Sequence, residues 1–381
     1  VTAAEFDRID VGMLRRGGSV KWSMYPEAIG AFVAEMDFGT APPVTAALHA
    51  AVDAAAFGYL PAGTVEHMSA AYAAWSRDRY GWAVDPVDVR PVADVVAALR
   101  LAIEHFSAPG TPVVLPTPAY MPFVSVPPQL GREVIEVPLS AGHRYDLDAL
   151  AAAFEAGGDL LILCNPHNPV GRVLTPAEML AIAEVVDRYG ARVFSDEIHA
   201  PLVFGNARHV PYASLSPVTA AHTLTATSAS KAWNLPGLKC AQVVLTSDAD
   251  RETWAGIGPL AEHGAATLGV IANTAAYRSG GPWLAEVLSY LDGNRRLLGQ
   301  LVADLLPGVV YTPPEGTYLG WLDFRATGPA DPAAYFLEKA GVAMTDGALC
   351  GEAGRGFGRF TFALPRPVLR EAVERIAAAM P

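Results

Sequence analysis

Between residues 112 and 245 the sequence alternates short apolar runs with amphipathic stretches of helical length, and few chain arrangements satisfy that pattern. The runs 112–116, 133–137, 160–164, 192–195, 223–227 and 240–245 read as strands buried on both faces. Residues 176–189 read as a helix. Thr175 and Glu178 form a capping-box pattern, Pro176 suits the first helical position, Met179, Ile182, Ala183 and Val186 share a face, and Gly190 ends it. Strands separated by helices close into a mostly parallel sheet with helices on both sides, and ligands gather at the carboxyl ends of such strands. Further on, residues 284–306 carry apolar positions at Val287, Leu288, Leu291, Leu298, Leu301 and Leu305, which predicts a long helix bridging two units. Leu369, Ala372, Val373 and Ile376 share one side of a last helix, so the C-terminal part is expected to form a smaller α+β unit. At roughly 150 residues per domain, a chain of 381 residues holds two or three units. It contains no internal repeat.

Charge and cysteine usage remove several functions. Basic residues number 27 against 39 acidic ones, a formal net charge of −12, which leaves no electrostatic footprint for a phosphate backbone. Nucleic acid and membranes are not expected partners. No uncharged apolar run approaches the ~18 residues of a membrane span, and the first residues lack a basic region followed by an apolar stretch. Cys164, Cys240 and Cys350 are far apart without CxxC spacing, which argues against a disulfide framework and a zinc site. A cytoplasmic protein without a metal site is expected. Gly354, Gly356 and Gly358 lack the preceding strand and the acidic residue ~20 positions on that a dinucleotide fingerprint needs. No HExxH or GxSxG motif is present.

Five segments fit one chemical scheme: Asn165-Pro-His-Asn-Pro-Val-Gly171, Ser195-Asp-Glu-Ile-His199, Ser228-Ala-Ser-Lys-Ala-Trp-Asn-Leu-Pro-Gly-Leu-Lys239, Gly316-Thr-Tyr318, and Arg359 in Gly-Arg-Phe-Thr-Phe. Together they resemble the fold type I pyridoxal-phosphate enzymes of the aspartate aminotransferase superfamily. Val-Lys-Trp at 20–22, Val-Ala-Glu-Met-Asp-Phe at 33–38, Phe-Gly-Tyr at 57–59 and Pro-Glu-Gly-Thr-Tyr-Leu-Gly-Trp at 314–321 are similar to the MalY/PatB branch of cystathionine β-lyases and C–S lyases. The resemblance covers nearly the whole chain. It implies an α/β fold with a seven-stranded, mostly parallel sheet sandwiched by helices, plus a small α+β domain. The expected division is an N-terminal arm and part of the small domain at 1–45, a large cofactor-binding domain at 46–284, and the rest of the small domain at 285–381.

The same resemblance implies pyridoxal 5'-phosphate as cofactor and a role for each matched residue. Lys231, one of only four lysines, is expected to carry the cofactor aldehyde as a Schiff base and to move the substrate α-proton. Asp196 faces the pyridine nitrogen and keeps it protonated; read by itself, it is equally a helix N-cap. Asn168 donates to the phenolic oxygen and Tyr120 stacks on the ring, although Asn-Pro also starts turns and a loop tyrosine is often simply core. His199 stands where aminotransferases place a tyrosine. The phosphate falls to the amides near Val95 and Val96 at a helix N-terminus, with Ser228, Ser230 and Lys239. Tyr59 reaches in from the second subunit of a homodimer. Arg359 grips the substrate α-carboxylate with its planar fork; a surface ion pair is its ordinary alternative.

Four departures from the family pattern mark this chain. Asp94 replaces a glycine and is expected to turn away from the phosphate and cap the helix. Phe32 replaces a tryptophan, Thr361 an asparagine and Cys350 a phenylalanine, which suggests a specialised substrate pocket with Phe32 among its walls. The function implied is α,β-elimination of an S-substituted cysteine, cystathionine-like or another S-conjugate, to thiol, pyruvate and ammonia. Transamination, decarboxylation or oxidative deamination of such a conjugate, and a non-catalytic module on the same scaffold, are the alternatives.

Overall fold

In the computed structural model, which describes residues 3–381, the central alternation folds into one seven-stranded sheet. Its strands are β1 (Val89–Val92), β2 (Val113–Thr117), β3 (Val134–Pro138), β4 (Leu160–Cys164), β5 (Arg192–Asp196), β6 (Thr223–Thr227) and β7 (Ala241–Leu245). They lie in the order β1-β7-β6-β5-β4-β2-β3. β7 is antiparallel to both neighbours and every other pair is parallel. Six of the seven were expected from their apolar runs. β1 was not, because Arg90 and Pro91 interrupt it; it is tolerated because β1 is an edge strand, where a missing N–H leaves no ladder partner unsatisfied.

Successive strand residues point to opposite faces, and each face has its own core. Val113, Leu115, Leu160 and Ile162 pack with the helix Val95–His105 on one side. Val114, Leu161, Leu163 and Val193 pack with the helices Leu147–Glu155 and Pro176–Arg188 on the other. The Pro176–Arg188 helix begins with the expected reciprocal cap between Thr175 and Glu178.

The helix Gly281–Leu305 leads from this sheet to a four-stranded antiparallel one built from Val310–Tyr311, Leu319–Asp323, Thr345–Asp346 and Phe357–Thr361. The helix Arg366–Ala378 closes the chain. The beginning of the chain docks here as well: Ile29–Gly30 pairs in parallel with Val342–Ala343. Only glycine fits at position 30, since a Cβ there would sit 2.1 Å from the Lys21 carbonyl oxygen.

A buried ion pair fixes this arm. Lys21 Nζ donates to Asp37 Oδ2 at 3.0 Å and to the Glu35 carbonyl at 3.1 Å, and Trp22 Nε1 donates to Asp37 Oδ1 at 2.9 Å. The Val-Lys-Trp and Val-Ala-Glu-Met-Asp-Phe motifs are therefore two halves of one structural contact.

Candidate active site

The turns that carry the candidate residues converge because the strands before them are neighbours. β6, β5, β4 and β2 run parallel side by side, so the segments leaving their carboxyl ends open on one edge of the sheet. Tyr120 follows β2, Asn168 follows β4, Asp196 ends β5 with His199 just beyond, and Ser228, Ser230 and Lys231 follow β6. β1 leads into the helix Val95–His105 with Asp94 as its N-cap.

Lys231 is distinguished by what it lacks. Lys21, Lys239 and Lys339 each pair with a carboxylate, and Lys231 has no such partner among the described residues. Its Nζ donates to the Ala34 carbonyl at 3.0 Å, an oxygen that also accepts the Tyr318 hydroxyl at 2.8 Å. Burial, and next the charge of Arg359, pull the amine down from its ordinary 10.5 to about 8. Asp196 is buried, and its Oδ1 accepts the Ile198 amide at 2.9 Å. Burial raises its carboxyl to about 7, opposed by that amide and by Lys231.

Arg359 is 2% exposed yet meets only neutral groups. Nη1 donates to Asn168 Oδ1 at 3.2 Å, and Nη2 donates to the Phe32 carbonyl at 3.0 Å and to Thr345 Oγ1 at 3.2 Å. Its Nε is buried without a partner among the described residues. A desolvated guanidinium without a counter-charge is costly, and an anionic ligand would relieve that cost. His199 is likewise buried with Nδ1 unpartnered among the described residues, its ring edge-on to Tyr318 at 5.9 Å. Burial and the cations Lys231 and Arg359 hold it well below the usual histidine range, so the ring is neutral. Tyr120 is mostly buried beside Phe123, with ring centroids 5.4 Å apart, and burial raises its hydroxyl.

The expected anion site is arranged around Asp94. Its Oδ1 accepts the Ala97 amide at 2.8 Å, capping the helix as expected, while Oδ2 holds Lys239 Nζ at 2.8 Å. Val95 and Val96 form the helical turn that this carboxylate covers. Ser228 Oγ donates to the Cys240 carbonyl at 2.7 Å and accepts the Ser230 amide at 3.0 Å. Tyr59 stands apart from all of these, 93% exposed, with Phe57 exposed next to it.

Lys231, Arg359, Tyr120 and Phe32 open on one cavity of about 590 Å³. Of the four departures only Phe32 lines it. Thr361 is buried, its amide donating to the Ala31 carbonyl at 2.8 Å, and Cys350 packs with Val170, Trp321 and Phe357.

Sequence reasoning passed over Asn234. Its Oδ1 accepts the Met36 amide and its Nδ2 donates to the Met36 carbonyl, both at 2.9 Å, which ties the lysine loop to the segment presenting Ala34. The usable signal was an asparagine in a loop of small residues, because asparagine tolerates the positive φ, here 58°, that this clamp requires. Tyr318 and Thr345 went unassigned because their partners are main-chain oxygens more than 280 residues away.

Residues 33–376 match the family described as aminotransferase class I and II. The chain is 37% identical over 372 residues to the cystathionine beta-lyase of Corynebacterium glutamicum, covering 96% of this chain and 98% of that enzyme. It superimposes with a TM-score of 0.93 and 42% identity on a putative PLP-dependent beta-cystathionase from Corynebacterium diphtheriae, covering 97% and 98% of the two chains. It also matches the PLP-bound C-S lyase from Staphylococcus hominis, with a TM-score of 0.90, 26% identity, and 98% and 97% covered. The sheet and its crossing arm are those of the type I PLP-dependent transferase fold. With residues 33–376 spanned by that family and 96% of the chain covered by a relative 37% identical to it, the chain belongs to the aminotransferase class I and II family.

Proposed function

We propose that the chain is a pyridoxal-phosphate-dependent C–S β-lyase that cleaves an S-substituted cysteine to a thiol, pyruvate and ammonia. The observation that carries this reading is a set of buried ionisable groups without a salt-bridge partner among the described residues: the Lys231 amine and the Arg359 guanidinium, which line one cavity, and the Asp196 carboxyl and the His199 imidazole at and just beyond the end of β5. Pyridoxal phosphate fits them. Lys231 would bind its aldehyde, Asp196 its ring nitrogen, Asn168 and His199 its phenolic oxygen, and Tyr120 its ring face. Ser228, Ser230, Lys239 and the amides of Val95 and Val96 would hold its phosphate. When bound, the cofactor supplies a carbon for covalent attachment and a ring that takes up the electron pair of the broken Cα–H bond.

The residues of the chain do the rest. Arg359 binds the substrate α-carboxylate through parallel N–H donors and so fixes the direction of the Cα–H bond. Lys231, with an amine near 8 rather than 10.5, is free to take the α-proton close to neutral pH. Asp196 keeps a proton on the ring nitrogen opposite it. The Cβ–S bond then breaks with its electron pair on sulfur, and the proton held by Lys231 is available to the departing thiolate. Addition of one water balances the products as thiol, pyruvate and ammonium.

We further assign residues 1–45 and 285–381 to a small domain and 46–284 to the large one, and a homodimer in which Tyr59 enters the partner's site. The exposure of Phe57 and Tyr59 supports that dimer. The three free cysteines support a cytoplasmic location; no described helix is long and apolar enough to cross a membrane. The test incubates the holoenzyme with S-alkyl cysteines and follows thiol, pyruvate and ammonia. Equimolar release that is lost on Lys231→Ala supports the lyase. Conversion of the cofactor to its amine form without thiol would establish transamination instead, and aldehyde without pyruvate would refute elimination.

A further inference from the structure

The cavity beyond Lys231 and Arg359 carries information on the sulfur substituent. Much of its lining is apolar: Met24, Tyr25, Phe32, Met121, Leu337 and Met344 all face it. Met24 is 55% exposed and Leu349, also at the cavity, is 57% exposed, so an apolar lining continues out to solvent. Among the described residues, Lys231 and Arg359 are the only basic ones that line the space, and both are engaged at the reacting end. The remaining charged groups are two carboxylates, Asp331 and Asp346. Each uses one oxygen to cap a helical turn, through the amides of Ala334 and Ala348 at 3.0 Å.

We infer that the substituent on sulfur is apolar, an alkyl or aryl group, and that a conjugate whose substituent ends in a second carboxylate is a poor substrate. This deepens the lyase reading and rests on it, since it assigns Lys231 and Arg359 to the α-carbon and α-carboxylate. An alkyl or aryl group gains by leaving water for this wall. A distal carboxylate finds no cation, loses hydration and approaches Asp331 and Asp346, so it is selected against by both missing attraction and direct repulsion.

The experiment compares kcat/KM of the holoenzyme for S-propylcysteine and S-benzylcysteine with that for S-carboxymethylcysteine, read as thiol released. The expected result is a preference of at least about tenfold for the two apolar conjugates, in the range by which a pocket separates matched from mismatched groups. Leu337→Arg, which adds a cation to the apolar wall, shifts the ratio toward S-carboxymethylcysteine. Equal rates, or faster cleavage of S-carboxymethylcysteine, overturn the inference while leaving the lyase intact. No thiol from any of the three overturns the lyase reading and the inference with it.

Discussion

Lys21→Met tests the claim that the N-terminal arm is held by a buried charge pair. The Lys21 side chain has no solvent exposure and Asp37 only 3%, and the ammonium is shared among Asp37 Oδ2, the Glu35 carbonyl and the Ala363 carbonyl. Methionine keeps the stem's volume but leaves the Asp37 carboxylate buried with the Trp22 indole as its remaining side-chain donor. Breaking such a pair from one side costs about 3–5 kcal/mol. With an unfolding entropy of about 2.1 cal/mol/K per residue, that lowers the melting temperature by about 4–6 °C.

The pH dependence of the deficit identifies its cause. Burial raises the Asp37 carboxyl, and Lys21 and the Trp22 indole oppose that rise; without the lysine the value rises further, with only the indole against it. A carboxyl raised in the folded state stabilises below its unfolded value of about 3.9 and loses that contribution as pH rises through the folded value. The deficit of Lys21→Met is therefore small near pH 4, deepens as the pH is raised and then levels off. Adding Asp37→Leu restores part of the loss, because the orphaned charge is gone. Melting curves of wild type, single and double variants across pH decide the matter. A deficit below 1 kcal/mol, or one equally large at pH 4 and pH 7, would refute the argument.

Lys231 in the cofactor-free protein should be modified by an amine-selective reagent with a midpoint near pH 8. At that pH about half of it is free base, against roughly 0.3% for an ordinary lysine. Peptide mapping of the labelled lysine gives the midpoint, and a value near 10 would contradict its burial beside Arg359. Asp94→Asn removes the carboxylate held by Lys239 and should tighten pyridoxal phosphate several-fold by spectroscopic titration while leaving pyridoxal, which has no phosphate, unchanged. Asn234→Ala removes both hydrogen bonds to Met36 and should cost about 1–3 kcal/mol in chemical denaturation, because a buried amide and carbonyl lose their partners. Arg359→Lys keeps the charge but loses the fork; KM for the amino-acid substrate should rise about 100-fold, and an unchanged KM would remove Arg359 from the carboxylate site.

The central sheet was legible because most of its strands are runs of buried, largely apolar residues, and polar members such as Ser195 and Thr225 are buried with them; the edge strand β3, expected to be buried on both faces, has only Val137 buried. β1 was obscured by Pro91, whose tolerance depends on an edge position that only the assembled sheet reveals. At the site, residues acting through a charged or ring group stood out by type and motif. Tyr318, Thr345 and Asn234 act on carbonyls and amides, and the identity of a residue says nothing about which distant main-chain atom it meets. Asp94 shows both sides of this: its capping of the next turn is local and was readable, whereas its pairing with Lys239, 145 positions later, depends on the order β1-β7 in the sheet.

The contact between Arg359 and the Phe32 carbonyl spans 327 residues, and it gives the molecule a direction in time. During synthesis the large sheet is complete once residue 245 has emerged, with Lys231 already on its loop. The arm around Phe32 is made before the sheet, whereas its partners Val342–Ala343 and Arg359 are made after it. A nascent chain thus passes through a stage in which Lys231 is present but Arg359 and the cavity wall beside it are not. Only a chain that has reached Arg359 can close the cavity, so termination between residue 245 and Arg359 yields a protein that can assemble its sheet and still lacks Arg359 and the cavity wall beside it.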